Sequence, residues 1–169
     1  LRHVRHSYRP HTMVLAPDAD GHWVPKDVVP GMQTEPGMIV YRFGADLFYA
    51  NEARFVEEVE RLVARAPTPV HHFVVDASAI TALDYSAAQS VRRLLQTLAT
   101  RGVTVVFGRV SSYLRADMDR HRISAVIGPA RIFSTLHEAV EGLVRSCLLL
   151  ADVSRPRRPS AGPAHRRRR

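Results

Sequence analysis

The stretch FVVDASAITALDYS, from Phe73 to Ser86, contains the features that decide the fold. An apolar run typical of a buried strand passes into a short loop with two aspartates and two serines, and a helical pattern begins at once. In parallel α/β folds, ligands and switchable groups lie where the carboxyl end of a strand meets the amino terminus of a helix. We therefore expect any functional site of this chain at this loop.

Apolar patterns on both sides of the loop predict an alternation of strands and helices. Strands are predicted at 38–43, 70–75 and 103–107, with a short last strand at 131–133, and helices at 51–66, 86–102, 111–122 and 134–148. Residues 1–37 predict an extended entry segment with one edge strand near Trp23. This alternation predicts an α/β fold, with a mixed, mostly parallel sheet of four to five strands and about four helices.

The net charge of +8 is concentrated at the two ends of the chain. Residues 155–169 hold seven arginines and residues 1–9 hold three, and neither segment contains an acid. Residues 10–154 carry 14 Lys/Arg against 16 Asp/Glu, which leaves this part at −2. Because the predicted domain is nearly neutral and the basic residues lie in two flanking arms, nucleic acid is not an expected partner.

Composition predicts one folded domain with extended ends. The single Cys147 excludes an internal disulfide framework and a cysteine-rich metal site. Apolar residues make up 46% of the chain, yet none of their runs reaches the 18 or more that a membrane helix needs. We predict an entry linker at 1–22, a folded domain at 23–150 and a disordered arginine-rich tail at 151–169.

Three segments resemble the STAS domain, which bacterial anti-sigma factor antagonists share with the cytoplasmic ends of SulP-type sulfate permeases. The sequence from Asp84 to Ser86 lies where the antagonists have Asp-Ser-Ser-Gly, and Ser86 matches their phosphorylated serine. Tyr85 and Ala87 depart from the small residues of that motif. Residues 42–51 (RFGADLFYAN) are similar to a strand-to-helix segment of the permeases, and residues 9–15 (RPHTMVL) to the linker after their last membrane helix.

This resemblance implies a domain on the cytoplasmic side of the cell membrane, belonging to a sulfate or other anion transporter whose membrane helices precede Leu1. Residues 1–22 would then be a juxtamembrane linker, and the arginine tail would approach anionic lipid, with about 1 kcal/mol for each arginine near the surface. The implied work is regulation and binding without catalysis. The alternative is a soluble phospho-switch, similar to an anti-sigma factor antagonist, that is regulated at Ser86. A nucleotide-hydrolysing enzyme is a third class, but the loop lacks a positioned base or lysine.

Ser86 and the two aspartates of the loop each have two interpretations. As a helix N-cap, Ser86 would accept from the backbone near Gln89, which is worth about 1 kcal/mol. As a phosphoserine it would gain from the helix dipole and be repelled by Asp84. Asp76 and Asp84 together could hold a cation or act as acid and base, but a structural role in the turn is the commoner use of such acids.

The resemblance also implies weak binding of GTP or ATP, because some STAS domains bind nucleotides. The chain contains neither a P-loop nor a GxGxxG motif, so it encodes no strong phosphate cradle. The nine histidines do not converge in the predicted fold, and the sequence from Asp18 to Gly21 predicts a turn, so no metal site is expected. Candidate nucleotide or anion contacts are Phe48, Asn51, Asp76, Ser78, Leu83, Asp84, Ser86 and Arg109.

Overall fold

A computed structural model describes residues 9–143 of the chain. The five strands are Thr12–Pro17 (β1), Trp23–Asp27 (β2), Met38–Phe43 (β3), His72–Asp76 (β4) and Thr104–Gly108 (β5). The helices are Glu52–Ala64 (α1), Tyr85–Thr100 (α2), Ser112–Arg120 (α3), Ile123–Ile127 (α4) and residues 136–143 (α5), with a 3-10 turn at Pro129–Arg131. The predictions for residues 1–8, for Cys147 and for the arginine tail lie outside the described residues.

The strands form one mixed sheet in the order β2-β1-β3-β4-β5. The last three strands of this order run parallel, whereas β1 is antiparallel to both of its neighbours. Parallel strands need long crossover connections, and α1 and α2 supply them between β3, β4 and β5. The α/β fold with a mostly parallel sheet is therefore confirmed, and the carboxyl ends of three strands meet at one edge, which we call the carboxyl rim.

The entry segment contributes more to the sheet than predicted. One strand was predicted for residues 1–37, and the described part of that segment, residues 9–37, contains two. Because β1 pairs with both β2 and β3, the sheet begins within the segment that was assigned to the linker. Val14, Leu15 and Ala16 are all buried, so β1 lacks the alternation that marks a strand exposed on one face. The predicted turn at Asp18 is confirmed, because its carboxylate accepts from the N–H groups of Asp20 and His22 at 2.9 Å.

The helices begin close to the predicted positions, but the predicted last strand does not form as a full strand. Ser111 caps α3 by accepting from Leu114 N at 3.2 Å, but the helix ends at Arg120 and α4 follows as a separate short helix. The predicted strand at 131–133 is reduced to a single bridge between Ile132 and Phe107. A capping contact does precede α5, where Thr135 Oγ1 accepts from the N–H of Glu138 at 3.1 Å.

The sheet is covered by helices on both faces. Successive residues of a strand point to opposite faces, and β3 accordingly sends Ile39 and Tyr41 to one core and Val40 to the other. The larger core lies against helices α1 to α4, and the smaller one includes Ala139 and Leu143 of α5. Because parallel strands buried on both faces read as continuous apolar runs, their positions were predictable from the sequence.

Aromatic side chains fix α1 against the sheet. The ring centroid of Phe55 lies 5.4 Å from that of Phe43, edge to face, and 6.0 Å from that of Tyr41. The Tyr41 hydroxyl donates to Glu58 Oε1 at 2.8 Å. Burial, reinforced by the Glu58 carboxylate, raises the pKa of Tyr41 above its usual range, so this hydroxyl stays protonated as a donor.

Candidate functional site

The loop from residue 77 to residue 84, which joins β4 to α2, lies at the carboxyl rim and is called the rim loop below. Carboxylates from two other segments accept its backbone N–H groups. Asp46 Oδ1 accepts from Thr81 N at 2.6 Å and from Ala82 N at 3.0 Å, and Asp117 Oδ2 accepts from Leu83 N at 3.0 Å. The loop also forms a single backbone bridge with Leu47, and this bridge and the two carboxylates together fix its conformation.

Asp84 is the N-cap of α2 and also links two rim segments. Its Oδ1 accepts from Ala87 N at 2.8 Å, and its Oδ2 accepts from Tyr49 N at 3.0 Å. The prediction that Ser86 caps this helix was wrong, because the helix begins at Tyr85 and places Ser86 within its first turn, half-buried. Aspartate and serine are equally good caps, and Asp84 is the residue with the extended backbone that a cap needs.

Asp76 is completely buried and is compensated by two arginines. Its Oδ2 lies 2.8 Å from Arg42 Nε and 3.4 Å from Arg109 Nη1, while its Oδ1 accepts from Ser78 N at 3.1 Å. Arg42 stands opposite Asp76 in the register of the neighbouring parallel strand. The carboxylate is thus committed to an internal ion pair, which argues against the cation or acid–base role considered for Asp76 together with Asp84.

The eight residues predicted to contact a ligand divide into two groups. Asn51 and Leu83 have buried side chains, like Asp76. Asn51 orders the loop before α1, since its Oδ1 accepts from Phe48 N at 3.1 Å and its Nδ2 donates to the Asp46 carbonyl at 2.8 Å. The side chains that are exposed or half-exposed at the rim are those of Phe48, Ser78, Asp84, Ser86 and Arg109.

Three exposed tyrosines follow the strands that end at the carboxyl rim, and they were not predicted. Tyr49, Tyr85 and Tyr113 expose 68%, 67% and 77% of their surface, and each follows the end of a different parallel strand. Tyr49 is linked to Asp84 through its N–H, and Tyr113 lies one helical turn before Asp117, which holds the rim loop. Tyr49 packs beside Phe48 and Tyr85 beside His121, while most of each tyrosine remains exposed, as is typical of residues on binding surfaces. These rim tyrosines could have been found by noting aromatic residues that follow each predicted strand.

Two further groups of polar residues have structural explanations. The Ser124 hydroxyl donates to the carboxylate of Asp119, and this hydrogen bond joins α3 to α4. The same bond and the nearby Arg115 guanidinium hold the pKa of Asp119 below its usual range. Ligand atoms of Asp18, Asp20 and His22 lie within 4.8 Å of one another at the tip of the β1–β2 hairpin, a convergence that the sequence did not predict. Asp18 Oδ1 already accepts two N–H groups there, so we assign no metal role.

Comparisons of this chain with known proteins identify its family. Residues 30–139 match the STAS domain family. A probable sulfate transporter of Mycobacterium tuberculosis is 32% identical over 86% of this chain and 26% of its own length, and probable sulfate transporter 4.2 of Arabidopsis thaliana is 22% identical over 93% and 25%. The chain thus spans about a quarter of the length of the curated relatives it matches.

Within residues 9–143, none of the helices combines the length and apolar character required to cross a bilayer.

Solved structures agree on the fold. The STAS domain of a SulP transporter from Vibrio cholerae aligns with a TM-score of 0.57 at 13% identity, covering 73% of this chain and 90% of that one. The murine anion transporter Solute Carrier 26 family member A9, in its inward-facing state, aligns with a TM-score of 0.69 at 15% identity, covering 86% and 24%. Since the match to the family covers most of the chain and the folds coincide, this chain belongs to the STAS domain family.

Proposed function

We propose that this domain is the regulatory and interaction domain of a SulP-type sulfate transporter and lies on the cytoplasmic side of the membrane, attached to the transporter's membrane domain. Family membership and the relatives named as sulfate transporters support this assignment. One structural observation supports the regulatory role that we propose for the domain. The rim loop is held by Asp46 and Asp117 from two other segments, and its own Asp84 accepts from Tyr49 N, so a ligand or a charge at one of these carboxylates acts on the contacts between the three segments.

The rim offers what weak binding of GTP or ATP requires. Arg42 and Arg109 are held in place by Asp76 and expose 25% and 44% of their side chains, so N–H groups remain available to phosphate oxygens. The ring of Tyr85 stands beside the rim loop and offers a face on which a purine base can stack. Because no glycine-rich cradle surrounds the phosphates, the expected affinity is low.

Titration of the full chain with GTP or ATP tests this binding. We expect the amide NMR shifts of residues 76–86 to move at millimolar nucleotide. Tyr85→Ala should weaken the affinity about ten-fold, because stacking on an aromatic ring is worth roughly 1–3 kcal/mol per base. Val29→Ala removes exposed apolar surface far from the rim and should leave the affinity unchanged. Unchanged shifts at 76–86 with both nucleotides would exclude the rim as a nucleotide site.

Phosphorylation of Ser86 is a second candidate, favoured by the position of Asp84. A phosphate in the first turn of α2 gains from the helix dipole, but it stands next to the carboxylate that caps this helix and holds Tyr49. Repulsion between the two anions would weaken the bond from Tyr49 N to Asp84 Oδ2. Phosphorylation would thereby loosen the contact between Tyr49 and Asp84, while the bonds of Asp46 to Thr81 and Ala82 still join the two loops.

Measuring sulfate uptake by the full-length transporter tests whether a negative charge at position 86 changes the transport rate. Ser86→Asp places a carboxylate beside Asp84 and should change the uptake rate about five-fold at an equal amount of protein in the membrane, which corresponds to a coupling of about 1 kcal/mol. Ser86→Ala should behave like the wild type. Ser78→Asp adds the same charge at an exposed rim position that does not contact Asp84, and serves as the matched control. Equal effects of Ser86→Asp and Ser78→Asp would refute a specific switch at Ser86.

A further inference from the structure

A groove of about 250 Å3 runs between α1 and α2 on the side of the domain away from α5. Its apolar floor includes Val56 and Leu94, and its sides carry three glutamates of α1, namely Glu52, Glu57 and Glu60. This groove is separate from the rim loop and takes no part in the proposed nucleotide site. Its shape and lining fit an extended segment with cationic side chains.

The charge of the groove is uncompensated. Among the described residues, Arg93 is the one cation in its lining, and this guanidinium donates to Ser90 Oγ at 2.9 Å. Within residues 9–143, none of the ion pairs involves Glu52, Glu57 or Glu60. One carboxylate oxygen of Glu52, Oε2, is shielded from solvent and has no hydrogen-bond donor among these residues. A guanidinium that enters the groove can bond the more exposed carboxylates of Glu57 and Glu60, and so gains hydrogen bonds as well as charge attraction.

We infer that this groove binds the arginine-rich segment 155–169 of the same chain. The segment carries seven arginines and no acid, which complements three glutamates beside a single arginine. Arginine suits such a groove because its planar guanidinium can bond a carboxylate with two parallel N–H groups while its stem covers the apolar floor. Each exposed pair is worth only about 0.2–1 kcal/mol, so the contact depends on several pairs together.

The length of the chain permits this contact. The described part ends at Leu143 in α5, which packs on the opposite face of the sheet, so the chain must pass around the sheet to reach the groove. If the helix continues to Leu148 as predicted, 21 residues follow it. If the terminal arginines 166–169 enter the groove, the 17 residues before them span up to roughly 56 Å at about 3.3 Å per extended residue, which allows these arginines to pass around the edge of the sheet. Tethering also gives the segment a millimolar effective concentration at the groove.

Paramagnetic broadening in the full chain tests the inference. A spin label on Ala164→Cys, in a Cys147→Ser background, should remove about half or more of the amide peak intensity of Glu57, Glu60 and Thr97, because a tethered segment with an intrinsic Kd below the effective concentration is mostly bound. The β1–β2 hairpin should keep its intensity. Glu57→Gln with Glu60→Gln should restore the groove signals, whereas the matched pair Glu35→Gln with Glu138→Gln should not.

Three outcomes would overturn the inference. The first is broadening over the acidic surface in general that the paired glutamine substitutions in the groove do not reduce. The second is broadening that appears only when labelled and unlabelled chains are mixed, which would show that the segment binds a second copy. The third is an unbroadened groove in buffer together with tail binding to vesicles of phosphatidylserine and phosphatidylcholine, which would assign the arginines to a lipid surface.

Discussion

Replacing Asp76 by asparagine is expected to lower the free energy of unfolding by about 3 kcal/mol. Removing one partner of a buried ion pair typically costs about 3–5 kcal/mol, because the remaining charge stays buried without compensation. Arg42 and Arg109 are both partly exposed and can recover some hydration, which places the expected loss at the lower end of that range. Urea unfolding of the full chain, followed by circular dichroism, measures the change.

Comparison with other variants separates the ion pair from the general effect of removing a charge. Asp27→Asn, at an exposed position of the edge strand β2, should change the free energy of unfolding by no more than about 0.5 kcal/mol. Arg109→Gln should cost less than Arg42→Gln, because Arg109 is the more exposed and the more distant of the two arginines. A loss below about 1 kcal/mol for Asp76→Asn would mean that the ion pair does not hold β3 and β4 together at the rim.

The partners of Asp76 show where prediction from the sequence ends. The apolar runs of β4 and β5 are long enough to be recognised, and the alternation with helices places Asp76 at the carboxyl end of a parallel strand. Arg42, however, is 34 residues away along the chain and meets Asp76 only through the register of two parallel strands. Register depends on packing across the whole sheet, so a local pattern does not reveal that this acid is paired.

Two other differences between prediction and structure concern the N-cap of α2 and the strand β1. Asp84 and Ser86 are both suitable N-caps two positions apart, and the structure places the cap at Asp84, whose other carboxylate oxygen accepts from the N–H of Tyr49 in another loop. The strand β1 was missed because its apolar run, residues 13–16, is short, ends at a proline and lies in the segment assigned to the linker, so its pairing with β2 and β3 is not visible in the local pattern. The turn that follows it was recognisable from its Asp and Gly residues. In both cases the missing information is tertiary, and it concerns the segments that border the rim.

The second large effect is expected for Phe55→Ala, with a loss of about 3–5 kcal/mol in the free energy of unfolding. Phe55 exposes 1% of its surface and is the side chain of α1 that contacts both Phe43 and Tyr41. Truncation to alanine removes the apolar contact and leaves a cavity that the surrounding strands can fill only in part. Urea unfolding measures this loss in the same way as for Asp76→Asn.

Phe55→Leu is the matched control, because leucine keeps most of the apolar volume and should cost less than about 1.5 kcal/mol. A local consequence is also expected, since α1 begins after Asn51, whose side chain accepts from Phe48 N at 3.1 Å. When α1 is loosened, hydrogen exchange at the Phe48 amide should accelerate more in Phe55→Ala than in Phe55→Leu. Equal losses in the two variants would show that the aromatic contacts of Phe55 do not anchor α1, and that other side chains of the helix position the loop at the rim.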